Sequence, residues 1–159
     1  MIPKQKKISE SLTTMTELVL PNYTNQLGKL LGGQLMHWID ICAALTAGRH
    51  NQRVCVTASV DRIDFHHPVS LGDTVTLVAS VNRVFNTSME IGVKVFAENF
   101  KEGVRLHTNT AYLTFVCVDN DGRPVKAIQA IPETEDEIRR FEEALQRRDL
   151  RLKNREKQH

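Results

Sequence analysis

The stretch NYTNQLGKLLGGQLMHWIDICAALTAGRH, residues 22–50, contains the features that decide the fold. Its first part, residues 22–33, carries Asn, Thr and Gly at short intervals, which predicts an irregular loop. Residues 34–48 are apolar on nearly every side and contain no proline, and Gly48 precedes two basic residues, which is typical of a helix end. We therefore predict a helix over residues 34–48, buried all round because it lacks a polar face.

The sequence beyond this helix changes to a two-residue period rich in β-branched side chains, which indicates strands. The predicted strands cover residues 15–21, 54–60, 75–81, 89–97 and 106–118. The second of them is expected to carry a bulge where its phase slips toward Ile63 and Phe65. The last is apolar on both faces over residues 112–118, which predicts a central strand covered on both sides. A long buried helix followed by strands joined through short turns predicts an α+β fold, with an antiparallel sheet wrapped around the helix.

The length of 159 residues suits one domain. We expect a core over about residues 15–131 and a C-terminal helix over about residues 133–150, with a basic tail after it. Thr134 and Glu137 have the spacing of a capping box at the start of that helix. Its apolar stripe is thin, so its last ten or so residues are expected to be frayed or exposed.

The composition excludes several classes of protein. With 41% hydrophobic and 25% charged residues the chain is expected to be globular rather than disordered. The sequence has no N-terminal apolar segment that would predict secretion and no long uncharged apolar run that would predict a membrane span. The three cysteines lie in apolar runs, which favours a reducing compartment, the cytoplasm. A net charge of +2 is too small to predict nucleic-acid binding by itself.

Asp40 is the strongest anomaly, since it is the only charged residue between Lys29 and Arg49. A buried carboxylate costs several kcal/mol unless it is paired, so Asp40 lies either at a solvent-facing edge or in a functional cleft. The preceding loop carries Asn25, and Gly32 and Gly33 stand at the helix N-terminus, where free N–H groups favour a developing oxyanion. The same pair is also compatible with a simple helix entry.

Familiar catalytic motifs are absent: the sequence has no Gly-x-Ser-x-Gly elbow, no His-Glu-x-x-His, no Gly-x-Gly-x-x-Gly and no P-loop. His66 and His67 are adjacent on an extended segment and point to opposite faces, so they are not expected to bind one metal ion. His37 and His50, at the ends of the helix, are not assigned a function. We expect no metal and no cofactor.

Five runs of sequence follow one another in an order known from one family: NQLGKLLGGQLMHWID (25–40), VTASVDRIDFHHPVSLGD (56–73), NTSMEIGVKV (86–95), TFVCVDNDGRP (114–124) and PETEDEIRRFEEAL (132–145). With these runs the chain resembles the acyl-CoA thioesterases of the hot-dog superfamily, in the long-chain acyl-CoA hydrolase branch. The resemblance implies a central helix wrapped by an antiparallel sheet, subunits paired edge to edge with the active site between them, and homodimers that assemble further into a hexamer.

The resemblance also implies roles for individual residues. It makes Asp40 the catalytic carboxylate, as general base or as nucleophile, and Asn25 the catalytic amide, with the thioester carbonyl set against the N–H of Gly33. CoA would be part of the substrate rather than a cofactor. Weaker candidates for binding CoA are Gly32, Thr57, Ser59, Arg83, Asn86, Thr87 and Ser88, with the basic C-terminal residues.

Three other functions are weighed against hydrolysis. A hot-dog dehydratase would need a His with a carboxylate, and no His stands in the place of Asp40. A non-catalytic acyl-CoA sensor would keep the pocket, but it would have no need of both Asp40 and Asn25. Nucleic-acid binding by the basic tail would weaken steeply with salt and would be insensitive to loss of Asp40.

Overall fold

The computed structural model describes all 159 residues. It contains seven strands and two α-helices. In chain order these are β1 (Gln5–Lys7), β2 (Thr13–Leu18), α1 (Gly32–Asn51), β3 (Cys55–Val60), β4 (Thr74–Val84), β5 (Ser88–Asn99), β6 (Val104–Cys117), β7 (Gln129–Ile131) and α2 (Glu135–Lys157). Short 3-10 turns occupy Ile8–Ser11 and Pro21–Tyr23.

The main sheet has five strands in the order β2-β4-β5-β6-β3, and every neighbouring pair is antiparallel. Strands β4, β5 and β6 form a meander because tight turns join them, and β3 returns to pair with the outer side of β6. β1 and β7 form a separate two-stranded parallel sheet that the sequence pattern did not predict. The predicted α+β layout, one long helix against an antiparallel sheet, is confirmed.

Helix α1 begins two residues before and ends three residues after the predicted range of 34–48. One face carries Leu35, Trp38, Ile39 and Cys42 into the core. The opposite face leaves Ile41 and Leu45 exposed. The prediction of burial on all sides is therefore wrong for one face, because the sheet of a single chain covers only one side of the helix.

The core lies between α1 and the inner face of the sheet. Alternate side chains of β4, β5 and β6 point inward and are fully buried, and Leu77, Ile91 and Phe115 are among the largest. β6 is an interior strand as predicted, between β5 and β3. Its outer side chains, such as Tyr112, are only half-buried, so the predicted cover on both sides is confirmed for the inner face alone.

Strand β3 is an edge of the sheet and most of it is exposed to solvent. Its bulge lies between Thr57 and Ser59, within the strand, and not near Ile63 and Phe65 as predicted. The bulge places Thr57 opposite the buried Phe115 and Ser59 opposite Thr114. As a result the hydroxyls of Thr57 and Ser59 leave the strand on different faces of the sheet.

Helix α2 lies across the outer face of the sheet and continues to Lys157, beyond the predicted end at about residue 150. Its last residues are helical rather than frayed, but residues 152–159 are exposed, as the alternative prediction had it. Its N-cap is Thr134, whose hydroxyl accepts a hydrogen bond from the N–H of Glu137 at 3.1 Å, which confirms the first half of the predicted capping box. The Glu137 carboxylate accepts from the N–H of Glu133 at 3.4 Å and not from that of Thr134. Neither helix of the structure is long and apolar enough to cross a membrane.

A buried ion cluster anchors the second half of α2 to the sheet. Glu90 of β5 is fully buried and accepts three hydrogen bonds from Arg147, the shortest at 2.7 Å, and one from Arg151. Arg151 also forms a bidentate pair with Asp61 at 2.7 and 2.9 Å. Burial lowers the pKa of both guanidinium groups, but their bonds to the carboxylates outweigh it and hold each pKa above its ordinary value. We call Asp61, Glu90, Arg147 and Arg151 the Glu90 cluster.

Candidate active site

Asp40 lies in the middle of α1 and is half-exposed, at the boundary between the buried and the open face of the helix. The hydroxyl of Thr57, on edge strand β3, donates a hydrogen bond of 2.7 Å to Oδ1 of Asp40. The other oxygen, Oδ2, has no hydrogen-bond partner in the chain. Thr57 therefore orients the carboxylate and leaves one oxygen free to accept a proton.

The N-terminus of α1 leaves two backbone donors unused. The N-cap residue Leu31 has no side chain that could accept from them, and its carbonyl takes the N–H groups of Gln34 and Leu35, each at 3.1 Å. The N–H groups of Gly32 and Gly33 have no acceptor in the chain. These two N–H groups and the positive end of the helix form a site for a developing negative charge.

The two glycines differ in what surrounds them. A Cβ at Gly33 would meet no atom within 4 Å, so the space above that residue is open. A Cβ at Gly32 would lie 3.5 Å from the ring of Phe65, which closes that side. A ligand therefore approaches the helix end over Gly33.

Asn25 is exposed, in the loop before α1. Its Oδ1 accepts from the N–H groups of Leu27 at 2.9 Å and Lys29 at 3.1 Å, so this oxygen holds the loop in shape. The Nδ2 group has no acceptor in the chain and remains free to donate. Asn25 can thus present one fixed N–H donor to a carbonyl or a water molecule.

Asp40 and the helix N-terminus are too far apart within one chain to act on the same carbonyl group. Asp40 follows Gly33 by two helical turns, which is about 10 Å along the axis at about 1.5 Å per residue. Reacting groups must approach to roughly 3–3.5 Å. Nor does any hydrogen bond join Asn25 to Asp40 in the chain; each has other partners. A single chain therefore presents the expected groups in two separate places.

A groove of about 540 Å³ lies on the outer side of the sheet, between the edge strand and the end of α2. It brings Ser59 of β3 and Ser88 of β5 together with the guanidinium groups of Arg148 and Arg155. We call this the arginine groove. Asn86 and Thr87 lie in the turn directly before Ser88. These residues are far apart in sequence, and only the fold brings their hydroxyls and guanidinium groups together.

Arg83 lies outside the arginine groove, against helix α2. Its guanidinium donates to the carbonyl of Phe141 at 3.1 Å and stacks on the Phe141 ring at 4.0 Å. Arg83 therefore holds helix α2 and does not line the arginine groove, although it was expected among the CoA contacts.

The remaining titratable groups show no catalytic arrangement. His37, His66 and His67 are exposed, and no group of three or more His, Cys, Asp or Glu side chains is placed to hold a metal ion. Burial raises the pKa of Cys42 to about 11 and that of Cys55 to about 12, where the neighbouring Cys117 adds to the effect. Both thiols are therefore protonated at neutral pH and are poor nucleophiles.

Sequence reasoning missed two features. The Glu90 cluster has a signal in the sequence, since Glu90 is the only charged residue between Arg83 and Lys94. The hydrogen bond from Thr57 to Asp40 has none, because residues 40 and 57 meet only through the pairing of α1 with β3.

Comparisons with known proteins show which sequences and folds this chain resembles. A family model described as the thioesterase superfamily matches residues 27–104. The acyl-CoA thioester hydrolase YkhA of Bacillus subtilis is 41% identical over 155 residues, which cover 98% of this chain and 90% of that protein. A sequence relative at this identity and coverage shares the fold over its whole length.

Solved structures are similar over nearly the whole chain. An apo-hexameric acyl-CoA thioesterase has a TM-score of 0.91 and 40% identity, with 95% of this chain and 97% of that one covered. An acyl-CoA hydrolase of Staphylococcus aureus, solved with butyryl coenzyme A, coenzyme A and coenzyme A disulfide, has a TM-score of 0.90 and 34% identity, with 97% and 94% covered. The expected hot-dog fold, with its central helix and C-terminal helix, is thereby confirmed.

Proposed function

We propose a reaction for this chain, which belongs to the thioesterase superfamily and is an acyl-CoA thioester hydrolase. The reaction is hydrolysis of a fatty acyl-CoA to a free fatty acid and CoA. The observation that carries the proposal is Asp40, a carboxylate held by Thr57 on an otherwise apolar helix whose N-terminus offers two free N–H groups.

The active site is composite and needs two chains. Asp40 and Gly33 are about 10 Å apart along one helix. A thioester can therefore contact a carboxylate and a helix N-terminus together only if the carboxylate comes from one copy of the chain and the helix N-terminus from another. A two-fold axis beside α1 would place Asp40 of one chain against Asn25 and the helix N-terminus of the other, twice per dimer. The exposed apolar side chains of Ile41 and Leu45 lie on the helix face that such a dimer would cover.

The chemistry follows from these positions. The thioester carbonyl accepts hydrogen bonds from the N–H of Gly33 and from Asn25 Nδ2, which stabilise the charge that develops on oxygen. Asp40 removes a proton from water through its free oxygen, and the water attacks the carbonyl carbon. The tetrahedral intermediate then expels the CoA thiolate. Attack by Asp40 itself, through an anhydride, uses the same groups and stays open as an alternative.

The phosphates of CoA bind in the arginine groove. Arg148 and Arg155 line it with the hydroxyls of Ser59 and Ser88, and guanidinium groups bind phosphate through charge-assisted hydrogen bonds. Asn86 and Thr87 extend the polar rim of the same groove. Arg83 is not part of this proposal, because its guanidinium is bonded to helix α2.

The dimer forms at the exposed edge of the sheet. Strand β3 presents unpaired backbone groups and the exposed side chains of Val56 and Val60, with Val54 exposed directly before it, which suit pairing with the same strand of a second copy. Further assembly of dimers into a hexamer is supported by the similarity to a hexameric thioesterase. The reaction as proposed uses no metal and no cofactor. We place it in the cytoplasm, since all three cysteines are free thiols.

Complementation between two inactive variants tests this function and the composite site together. Asp40→Ala and Asn25→Ala are each expected to lower kcat on palmitoyl-CoA by at least about a hundredfold, the usual contribution of a positioned acid–base group. Unfolding the two variants together and refolding them as a mixture should restore about a quarter of wild-type activity. Half of the dimers are then mixed, and one of the two sites in each mixed dimer is intact.

The control is Asp149→Ala, which removes an exposed carboxylate from α2 and should leave kcat unchanged. Thiol release is measured with a panel of acyl-CoAs from acetyl to palmitoyl. Two inactive variants that stay inactive after mixing would place both residues in one chain's site and overturn the composite arrangement. Full activity in Asp40→Ala would remove Asp40 from the mechanism. Absence of thiol release by the wild type on every acyl-CoA of the panel would overturn the proposed function and favour a binding role.

A further inference from the structure

A second cavity, of about 170 Å³, lies between the outer face of the sheet and the first half of α2. Strands β4, β5 and β6 form its floor through Asn82, Gly92 and Tyr112, and Arg140 of the helix lies at its wall. It has no residue in common with the arginine groove and none with the surroundings of Asp40. The proposed thioesterase reaction makes no use of it.

The floor of this cavity holds a buried polar atom without a partner. Asn82 is 1% exposed, and its Oδ1 accepts no hydrogen bond. Its Nδ2 donates to Glu90 Oε1 at 2.9 Å. This bond fixes the orientation of the amide, because a flipped amide would place Oδ1 of Asn82 against Oε1 of Glu90. Oδ1 therefore faces away from the Glu90 cluster as a free acceptor. An unsatisfied buried acceptor of this kind destabilises the fold unless a ligand or a water molecule donates to it.

Local backbone features place Asn82 where it is. The register of β4 against β5 shifts between Val81 and Arg83, so Asn82 is the extra residue of a bulge. Gly92, which pairs with Ser80, leaves room for the amide, since a Cβ there would lie 2.7 Å from Asn82 Nδ2. The bulge and the small neighbouring glycine together leave the amide at the space under α2, and bulges of this kind often re-aim a side chain beside a binding site.

Three cations and one carboxylate, that of Glu143, line the rim of the cavity. Arg139 forms ion pairs with Asp136 at 3.4 Å and Glu143 at 3.8 Å, so its charge is compensated. Lys94 and Arg140 also line the cavity but form no ion pair. Two uncompensated positive charges suit a doubly charged group, and a phosphate monoester carries about −1.5 to −2 at pH 7.

We propose that the cavity under α2, with Asn82 at its floor and Lys94 and Arg140 at its rim, binds a small hydroxylated phosphate monoester. The phosphate meets the two cations, and a hydroxyl of the ligand donates to Asn82 Oδ1. At about 30 Å³ for each water-sized group, the cavity takes roughly six such groups, which limits the ligand to a short polyol chain. Ser80 and Tyr112 supply further hydroxyls for its polar groups.

Isothermal titration of the full chain, without any acyl-CoA, tests this site with three probes. Glycerol 3-phosphate carries both the anion and the donors, inorganic phosphate only the anion, and glycerol only the donors. We expect one glycerol 3-phosphate per chain, bound at least about tenfold more tightly than either fragment, because both ends of the site contribute. Equal affinity for inorganic phosphate, or no binding at all, would overturn the proposal.

Variants locate the binding. The double variant Lys94→Gln with Arg140→Gln should bind glycerol 3-phosphate at least about tenfold more weakly than the wild type. Asn82→Leu should bind glycerol 3-phosphate no more tightly than inorganic phosphate. The matched control, Lys101→Gln with Arg123→Gln, removes two cations from exposed turns and should leave affinity unchanged. An equal loss in the control pair would show a general charge effect and overturn the site. The rim pair alone still decides the outcome if Asn82→Leu fails to fold.

Discussion

Thr57 and the two glycines at the start of α1 show how single residues prepare the site. Thr57 uses its hydroxyl to hold one oxygen of Asp40, so the carboxylate has a defined direction before substrate binds. Gly33 leaves both its N–H and the space above it free. Preorganised donors and a preoriented base need little rearrangement during the reaction, which is the physical basis of electrostatic catalysis.

Gly33→Ala should separate stability from activity. The added methyl group meets no atom of the chain within 4 Å, so the fold tolerates it. Alanine favours a helix over glycine by up to about 1 kcal/mol, so the free energy of unfolding should stay equal or rise. The same methyl group occupies the approach to the N–H groups, and kcat/KM for acyl-CoA should fall at least about tenfold, as for a weakened oxyanion site.

Urea unfolding and steady-state kinetics on the same preparation measure both effects. Gly28→Ala is unsuitable as a control because Gly28 has a φ of +70°. Gly48→Ala, within α1 and away from its N-terminus, is the better one, since its Cβ would have one neighbour at 3.9 Å. Unchanged kcat/KM in Gly33→Ala would remove this helix end from the mechanism.

Helix α2 shows how one element serves two purposes with adjacent residues. Arg147 and Arg151 point at the sheet and complete the Glu90 cluster. Arg148 lies over the ring of Phe85 at 4.3 Å and lines the arginine groove with Arg155. The helix is thus bound to the sheet by one set of cations and offers another to the proposed substrate.

Substitution of two consecutive arginines should distinguish these purposes. Arg147→Gln leaves the fully buried Glu90 with a single guanidinium, and breaking a buried pair costs about 3–5 kcal/mol of unfolding free energy. Arg148→Gln should lower stability by less than about 1 kcal/mol, the value of an exposed cation–π contact. It should instead raise KM for acyl-CoA about tenfold, as expected for loss of one charge-assisted bond, with kcat unchanged.

Chemical denaturation and a KM series on both variants give the result. The pair serves as its own control because the two residues are neighbours of the same type on one helix. A stability loss in Arg148→Gln as large as that in Arg147→Gln, or a KM that neither variant changes, would contradict the division between the two faces.

At the scale of the whole molecule, His50 joins three distant parts of the chain. It is fully buried at the end of α1, its Nε2 lies 3.0 Å from the carbonyl of Ile128, and its Nδ1 lies 3.2 Å from the hydroxyl of Ser11. With Nε2 protonated and Nδ1 accepting from Ser11, the ring is neutral. Burial lowers the pKa of His50 below its ordinary value of 6.5, and Lys6 adds to this effect.

Stability should therefore fall as the solution becomes acidic. Above pH 6.5 the ring is neutral in both states and contributes no dependence on pH. Below it, the unfolded chain takes up a proton at His50 that the folded chain does not, so unfolding is favoured by up to about 1.4 kcal/mol per pH unit until the folded pKa is reached.

Urea unfolding between pH 7.5 and 5.5 measures this slope. His50→Gln keeps a donor and an acceptor but cannot titrate, so its stability should depend less on pH than that of the wild type. His66→Gln, at an exposed position, should behave as the wild type. An identical slope in all three proteins would show that His50 does not set the acid sensitivity.

The elements and their types could be read from short stretches of the sequence. The helix around Asp40, the five strands of the main sheet and the capped start of α2 each follow from periodicity and end signals in short stretches of sequence. Asp40, Asn25, Gly32 and Gly33 also stand out locally, because a lone acid in an apolar helix and a glycine pair at its start are visible without a structure.

The contacts that organise the site depended on folding. Thr57 meets Asp40, Glu90 meets Arg151 and Asn82 faces Gly92 only once the strands have paired in one register, and these partners are separated by up to 61 residues. A bulge of one residue turned Ser59 away from Thr57, and no local pattern reports such a shift. Periodicity encodes which face of an element is apolar, whereas register and packing across the sheet decide which polar groups meet, and these arise only from the whole chain.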